Sequence, residues 1–159
     1  MTVAGLKFRG PVLLVFALDQ QLATLLQQAM ADAPLPPNEF AVYSALRLLQ
    51  PTTPSQLAGT LGMKATTLSS MLVRMARSGH LKRRRNPADG RSVILTLTPS
   101  GVRVTEACFA SFGAAIEVFR RHLTVDEPTL LAHLEAMSTA LSRASAELAS
   151  QPDVSEAGG

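Results

Sequence analysis

The spacing of apolar residues along the chain predicts a protein built mainly from helices. Leu14, Leu18, Leu22 and Leu25 recur at helical intervals, on one face of a helix that Pro11 opens and that runs to about residue 31. Similar stripes predict shorter helices over about 38–49, 54–61 and 64–78. Two longer helices are predicted over about 99–123 and from about 127 to 149.

Capping residues and helix breakers mark where these helices begin and end. Asn38 is a candidate N-cap for the second helix, and Thr53, followed by a proline, is a candidate for the third. The same threonine–proline pair recurs at Thr98, before the fifth helix. Gly62 is typical of a left-handed helix end. The run Thr124-Val125-Asp126-Glu127 has the spacing of a capping box for the last helix.

Between the fourth and fifth helices the pattern changes from a helical period to strict alternation. Val93, Leu95 and Leu97 alternate with their neighbours, as in a half-buried strand. A basic strand over about 81–86 would pair with it across the turn at 86–91. The sequence therefore predicts a mainly α fold with a small two-stranded β hairpin, which we call the wing (about residues 81–98).

The fourth helix separates apolar from polar side chains. Its apolar face consists of Leu68, Met71, Leu72 and Met75, and its other face of Thr66, Thr67, Ser70, Arg74 and Arg77. Small hydroxyl groups approach base edges closely, and long cationic side chains reach phosphates. With the third helix it forms a helix-turn-helix pattern over about 54–78. The pattern and the wing together predict a protein that binds DNA.

The distribution of charge supports that prediction better than the net charge of +3 does. Residues 64–103 carry nine basic side chains and one acidic side chain, whereas residues 104–159 carry three basic and eight acidic ones. Such a local excess indicates a polyanionic partner. A solvated basic face is the alternative interpretation, but it does not explain why the charge coincides with the helix-turn-helix pattern.

Length and composition bound the remaining possibilities. A chain of 159 residues with 47% hydrophobic side chains suits one domain with a substantial core. A single cysteine excludes an internal disulfide and fits a reducing compartment. The apolar run at 12–18 is similar to a short signal peptide, but its helical spacing continues to Leu25, and it is too short to span a bilayer. We expect a cytoplasmic protein without membrane association and with a disordered tail over 150–159.

Several segments resemble the MarR family of winged helix-turn-helix transcriptional regulators. The matching residues are Leu35 to Val42 in the second helix, Leu57 to Gly62 in the third, Asp89-Gly90-Arg91 at the tip of the wing, and Leu97 to Gly101 after it. The resemblance covers about residues 11–149, and the wing signature is its most specific part.

The resemblance implies a homodimer whose terminal helices, about residues 11–31 and 99–149, interdigitate. Two recognition helices would then enter successive major grooves of double-stranded DNA. It also implies that Arg91 reaches a minor groove or its phosphates, and that Asp89 pairs with a neighbouring arginine and structures the wing together with Gly90. Combined with the helix faces, the candidate DNA contacts are Thr53, Lys64, Thr66, Thr67, Ser69, Ser70, Arg74, Arg77, Lys82, Arg84, Arg85 and Arg91.

These features favour a sequence-specific, ligand-responsive repressor that acts as a homodimer on a pseudo-palindromic operator. The alternative is an architectural or protein-interaction winged-helix module without ligand response. The hydroxyl-rich face of the fourth helix favours the first function, because an interaction module has no need for base-sized polar groups there. Candidate residues for a small apolar or aromatic ligand are Phe16, Tyr43, Arg47, Phe109 and Phe112.

No other chemistry is indicated by the sequence. Cys108 has apolar neighbours, which favours a packing role over redox sensing. The three histidines share no metal-ligand spacing, so no metal or cofactor is expected. Gly59 to Gly62 lacks the lysine of a phosphate-binding loop, and nothing in the sequence assembles a catalytic triad. We expect a transcription regulator rather than an enzyme.

Overall fold

A computed structural model describes residues 10–150 of the chain. Its elements, in order, are α1 (Pro11–Ala29), α2 (Pro37–Leu49), α3 (Pro54–Leu61), α4 (Ala65–Arg77), β1 (Leu81–Arg85), β2 (Val93–Leu97), α5 (Pro99–Arg121) and α6 (Glu127–Ser150). The predicted fold class is confirmed, because these are helices with one two-stranded antiparallel sheet.

Local signals set both ends of α3 and the start of α5 where the sequence places them. Thr53 and Gln56 form a reciprocal capping box at the start of α3, and Gly62 ends it with a φ of 61°. Thr98 Oγ1 accepts a hydrogen bond from the Gly101 amide and caps α5. Lys64 occupies the N-cap position of α4 without a side-chain capping bond, as a lysine must.

Three details of the predicted helix ends are wrong. Asn38 is not the N-cap of α2; that position is Pro36, and the Asn38 amide oxygen accepts from the neighbouring Glu39 N–H instead. The cap of α6 is Asp126, whose carboxylate accepts from the Thr129 N–H at 2.9 Å, so the proposed box at Thr124 does not form. Ser150 is the last residue of α6 rather than part of a tail, and 151–159 lie outside the described residues.

The wing is attached to the segment between α2 and α3 by hydrogen bonds along the outer edge of β2. β1 and β2 pair from Leu81–Leu97 to Arg85–Val93. On the other edge of β2, Leu95 exchanges two backbone hydrogen bonds with Thr52, at 2.8 and 3.4 Å. The Leu97 N–H donates to the Gln50 side chain at 2.8 Å. The segment before α3 therefore extends the sheet, which fixes the wing relative to the helix-turn-helix.

The core lies among α2, α3, α4 and the wing. Leu46, Leu57, Leu68 and Leu95, one from each of these elements, are fully buried. The chain divides into two compact units, and the boundary between Glu117 and Val118 falls inside α5. The core and all of the DNA-contact candidates belong to the first unit.

Two helices leave their apolar side chains exposed. Neither α1 nor α6 has a buried residue, and their large aliphatic or aromatic side chains with an exposed fraction of 40% or more are Val12, Leu14, Phe16, Leu18, Leu22, Leu131, Leu134, Leu141 and Leu148. Over residues 10–150, no helix combines the length and the hydropathy needed to cross a membrane. Each of these two faces therefore lacks a cover within its own unit.

Candidate DNA-binding surface

Helix α4 is anchored by its apolar face and presents the other face to solvent. Leu68, Met71, Leu72 and Met75 are at most 7% exposed, which fixes the rotation of the helix about its axis. Every polar candidate on α4 is exposed, as the sequence predicts: Thr66, Thr67, Ser69, Ser70, Arg74 and Arg77. Since the hydroxyl groups come from the first two turns, they lie at the end that recognition helices direct toward base edges.

Some hydroxyl groups among the DNA-contact candidates already take part in hydrogen bonds within the protein. Ser70 Oγ donates to the Thr66 carbonyl at 3.1 Å, a bond that water or a base edge can replace. Thr53, half-buried at the start of α3, uses its hydroxyl group to cap that helix. Thr53 is therefore a structural residue first, and any DNA contact from it would compete with its role as a cap.

Arg74 is held by an ion pair that the sequence prediction did not include. Its Nε and Nη2 atoms lie 3.1 and 3.0 Å from one carboxylate oxygen of Glu39 on α2. The arginine side chain remains 52% exposed and the glutamate 27%. The two residues are 35 positions apart, so no local pattern could have revealed the contact. This pair links α2 to the face of α4 that carries the hydroxyl groups.

The basic strand of the wing is open to solvent. Lys82, Arg83, Arg84 and Arg85 are exposed, whereas Leu81 at the start of β1 is buried. Within residues 10–150, none of these four cations takes part in an ion pair. Both the basic strand and Arg91 therefore present uncompensated positive charge.

The turn of the wing is built from side-chain-to-backbone hydrogen bonds. Asn86 Oδ1 accepts from the Ala88 N–H, and its amide group donates to Ser92 Oγ at 2.8 Å. Asp89 accepts from the Arg91 backbone N–H at 3.0 Å. The predicted ion pair between Asp89 and an arginine is not formed within residues 10–150; a short carboxylate satisfies the nearest amide instead.

Gly90 has a steric role in this turn rather than a conformational one. A β-carbon at that position would lie 2.8 Å from the Arg85 guanidinium, and its φ is not in the left-handed region. The glycine therefore lets the arginine of β1 fold back over the tip of the wing. Because the guanidinium is the end of a flexible side chain, a larger residue would displace it at little cost.

A polar joint connects the end of α4 to the start of α5. The Gly79 carbonyl accepts from Thr98 Oγ1 at 2.7 Å and from Ser100 Oγ at 3.0 Å. Tyr43 Oη and His80 Nδ1 are 2.9 Å apart. Burial raises the pKa of Tyr43, and the nearby Glu39 carboxylate raises it further while Arg74 lowers it.

The candidate ligand residues are only partly brought together. Phe109 and Phe112 on α5 both pack on Phe40 of α2, with ring centroids 5.4 and 5.1 Å apart. The sequence prediction missed Phe40, although it joins the two rings. Tyr43 is 3% exposed and faces His80, and Phe16 on α1 is 64% exposed.

Polar groups lie beside this aromatic cluster. Arg47, on the same face of α2 as Phe40, pairs with Glu106 of α5 at 2.8 Å. Ser44, which lies between them on that face, has a buried hydroxyl oxygen without a hydrogen-bond partner in residues 10–150. A buried unpaired hydroxyl group is uncommon in folded proteins, and it was not among the predicted residues.

Cys108 is a buried thiol. It has no solvent exposure, and its sulfur donates to the Val104 carbonyl at 3.3 Å. The pKa of the thiol is raised by burial, which outweighs the opposite effect of a backbone hydrogen bond from Leu35. In the part of the chain that the structure describes, histidine, cysteine and carboxylate side chains form no group of three that could hold a metal ion.

Comparisons with known proteins agree with this architecture. A family model described as the MarR family matches residues 35–93, from the loop before α2 to the start of β2. The multiple antibiotic resistance protein MarR of Salmonella typhimurium strain LT2 is 29% identical over 122 residues, which cover 76% of this chain and 85% of that protein.

Two solved structures extend the comparison to three dimensions. A mutant MarR from Escherichia coli, complexed with operator DNA, has 27% identity, a TM-score of 0.68 and coverage of 78% of this chain and 89% of that one. The PcaV transcriptional regulator of Streptomyces coelicolor, in complex with its natural ligand, shares the fold with a TM-score of 0.70 at 24% identity, covering 84% and 94%. In the sequence of residues 35–93 and in its fold, the chain is similar to the MarR family of transcriptional regulators.

Proposed function

We propose that the protein is a ligand-responsive repressor that binds a pseudo-palindromic operator in double-stranded DNA as a homodimer. One observation carries the proposal: the exposed hydroxyl and arginine face of α4 lies on the same unit as a wing whose cations form no ion pair with any residue in 10–150. Such a regulator would act on DNA in the cytoplasm. Its function would be binding, without catalysis.

The two elements would contribute to binding in different ways. Thr66, Thr67 and Ser70, with Ser69 beside them, would face base edges in the major groove. Cations would neutralise phosphates, which gives affinity without sequence preference. That second group consists of Lys64, Arg74, Arg77, Lys82, Arg84, Arg85 and, at the wing tip, Arg91.

The salt dependence of binding tests this function directly. With about four phosphates neutralised per protomer, log affinity should fall against log salt with a slope of about −7 for the dimer. Double-stranded DNA selected from a random pool by the wild-type protein serves as the probe. A slope near zero, or a failure to enrich any sequence, would support the alternative of a protein-interaction module.

A pair of variants separates base contacts from phosphate contacts. Ser70→Ala should relax discrimination at one or two base pairs, by about 1–3 kcal/mol for each lost contact. Arg84→Ala should weaken binding to selected and random DNA by the same factor, because a phosphate contact carries no sequence information. If both variants produced the same uniform loss, the proposed division between α4 and the wing would be wrong.

The homodimer follows from the exposed apolar faces. The exposed apolar surface on α1, and likewise that on α6, is too large to remain in contact with water, and a second copy of the chain would cover it. In this proposal α1, α5 and α6 are dimerisation helices. Such a dimer would hold its two α4 helices about 34–36 Å apart, the spacing of successive major grooves.

The ligand would bind at the cluster of Phe40, Phe109 and Phe112, with Arg47 and Ser44 as its polar contacts. Phe109 is 42% exposed, so a ligand ring can reach the cluster, and an anionic ligand would compete with Glu106 for Arg47. Tyr43 on α2 and Phe16 on α1, the other two predicted ligand residues, stay a prediction. To lower DNA affinity 100-fold, the ligand must bind the conformation that cannot bind DNA more favourably than the DNA-binding conformation, by about 2.7 kcal/mol.

A panel of aromatic carboxylic acids tests the ligand site. Benzoate-like acids should release the wild-type protein from its selected DNA, and Arg47→Gln should lose sensitivity to acids while keeping DNA affinity. Neutral aromatic amides are the matched control, since they lack the charge that Arg47 recognises. Equal release of both proteins by acids would place the ligand elsewhere.

A further inference from the structure

One aliphatic side chain on α4 is exposed where its neighbours are buried. Val73 has an exposed fraction of 39%, whereas Leu68, Met71, Leu72 and Met75 are at most 7% exposed. Isolated exposed aliphatic residues are common on protein surfaces, so the exposure by itself decides nothing. What distinguishes Val73 is its position relative to the polar residues of the same helix.

Val73 lies in the middle of the face proposed to enter the groove. Thr66, Ser70, Val73 and Arg77 have the spacing i, i+4, i+7 and i+11, which places them within an arc of about 60° on an α-helix. All four are exposed. The valine is about 10 Å along the axis from Thr66, so the stripe reads hydroxyl, hydroxyl, aliphatic, guanidinium.

The chemistry of the major groove offers a specific partner for such a side chain. Base pairs present hydrogen-bond donors and acceptors there, and the one apolar group among them is the C5-methyl of thymine. Valine is β-branched and held to one dominant rotamer in a helix, so its methyl groups occupy a defined place. A residue that served only solubility on this face would be polar.

We propose that Val73 is a specificity-determining residue that contacts the C5-methyl group of one thymine in each operator half-site. The inference rests on the proposed function, because it requires α4 to lie in the major groove. It adds a preference for thymine that the hydroxyl groups of Thr66 and Ser70 cannot supply, since their hydrogen bonds do not depend on the methyl group.

Replacement of thymine by deoxyuridine tests the contact with a single methyl group. The probe is DNA selected from a random double-stranded pool by the wild-type protein, in which each symmetric pair of thymines is replaced in turn. At one symmetric pair of positions, the replacement should weaken wild-type binding by about fifteenfold, because each protomer loses the burial of one methyl group. Replacement in a single half-site should weaken binding by about fourfold. Other thymine positions should have little effect.

Matched variants assign that loss to Val73. Val73→Ser should bind the thymine and deoxyuridine probes equally, because it no longer contacts the methyl group. Leu48→Ser is the control, since it removes an 85% exposed aliphatic side chain from α2, and it should discriminate as the wild type does. Circular dichroism and sedimentation of both variants confirm the fold and the assembly.

Each other outcome overturns the inference. If the wild-type protein enriches a sequence but no deoxyuridine position weakens binding, the function stands and the contact is wrong. The same conclusion follows if Val73→Ser still discriminates thymine, or if it changes the oligomeric state and so identifies Val73 as a protein contact. If no sequence is enriched, the proposed function fails and the inference falls with it.

Discussion

At the scale of single residues, Glu39 determines whether Arg74 is available to DNA. The ion pair is partly exposed, with its arginine 52% open to solvent, so it contributes at most about 1 kcal/mol to the free energy of unfolding. Its larger effect is positional, because the carboxylate holds the guanidinium against α2. We infer that phosphate and Glu39 compete for the same cation.

Glu39→Gln should release Arg74 and strengthen binding to random-sequence DNA. One added phosphate contact per protomer would make the salt slope of the dimer steeper by about two units. Glu106→Gln is the control, because it breaks another ion pair between α2 and a neighbouring helix, with Arg47 at 2.8 Å, away from α4. Weaker binding by the Glu39 variant would instead mean that the ion pair orients Arg74 toward DNA.

Cys108 should be inert in the folded protein. Because burial raises its pKa, the thiol is protonated over a wider pH range than a free cysteine, and its stabilising contribution declines as pH rises past the ordinary thiol value. A thiol reagent should label the unfolded chain rapidly and the native chain only slowly. DNA release by peroxide that disappears in Cys108→Ser would make the protein a redox sensor and refute this prediction.

At the scale of elements, the joint between α4 and α5 depends on a close approach of two backbones. A β-carbon at Gly101 would lie 2.3 Å from the His80 carbonyl oxygen, and that oxygen also accepts from the Thr98 N–H. Because the atoms in contact are backbone atoms of His80 and of α5, they cannot move aside as the end of a flexible side chain would. The first turn of α5 is therefore packed against the segment that leads from the recognition helix into the wing.

Gly101→Ala should lower the free energy of unfolding by about 1–3 kcal/mol, the usual cost of overpacking. Gly113→Ala in the same helix is the matched control, because nothing lies within 4 Å of its added β-carbon, and it should stabilise the protein by up to about 1 kcal/mol. Urea denaturation measures both. If the two substitutions changed the free energy of unfolding equally, the close approach at Gly101 would not be what destabilises the Gly101→Ala variant.

At the scale of the whole molecule, the proposed assembly accounts for the exposed apolar surface. Leu131 and Leu134 on α6 are each about half exposed, as are several aliphatic residues of α1. Neither face is covered within its own unit. Because each operator half-site would take one α4 in this proposal, the oligomeric state would also determine how many phosphates one binding event neutralises.

Leu134→Glu should convert a micromolar solution of dimers into monomers, because a carboxylate cannot be buried against a second apolar face without a partner. Sedimentation measures the mass, and the salt slope of DNA binding should fall to about half of its wild-type value. Leu48→Glu, at an 85% exposed position on α2, should remain dimeric. A compact wild-type monomer at that concentration would contradict the proposal.

Features that depend on neighbours along the chain were available from the sequence. The order of the elements, the limits of α3 and the exposed face of α4 follow from Thr53, Gly62 and the apolar spacing, because caps and amphipathic faces are properties of a few consecutive residues. The error at Thr124 arose because Asp126, two positions further on, is also a suitable cap, and only the path of the chain decides between them. The error at Asn38 has a different cause: α2 begins at Pro37 without a side-chain cap, so Asn38 already lies inside the helix.

Contacts between distant segments were decided by the tertiary structure alone. Glu39 reaches Arg74, Thr52 pairs with β2, and Gly101 meets His80 because separate elements share one core, and no periodicity encodes such contacts. The sequence by itself determined which helix presents hydroxyl groups and cations, since that depends on a repeat of 3.6 residues. Only packing determined which of those cations is held by a partner and which remains free, since that depends on residues brought together from dozens of positions apart.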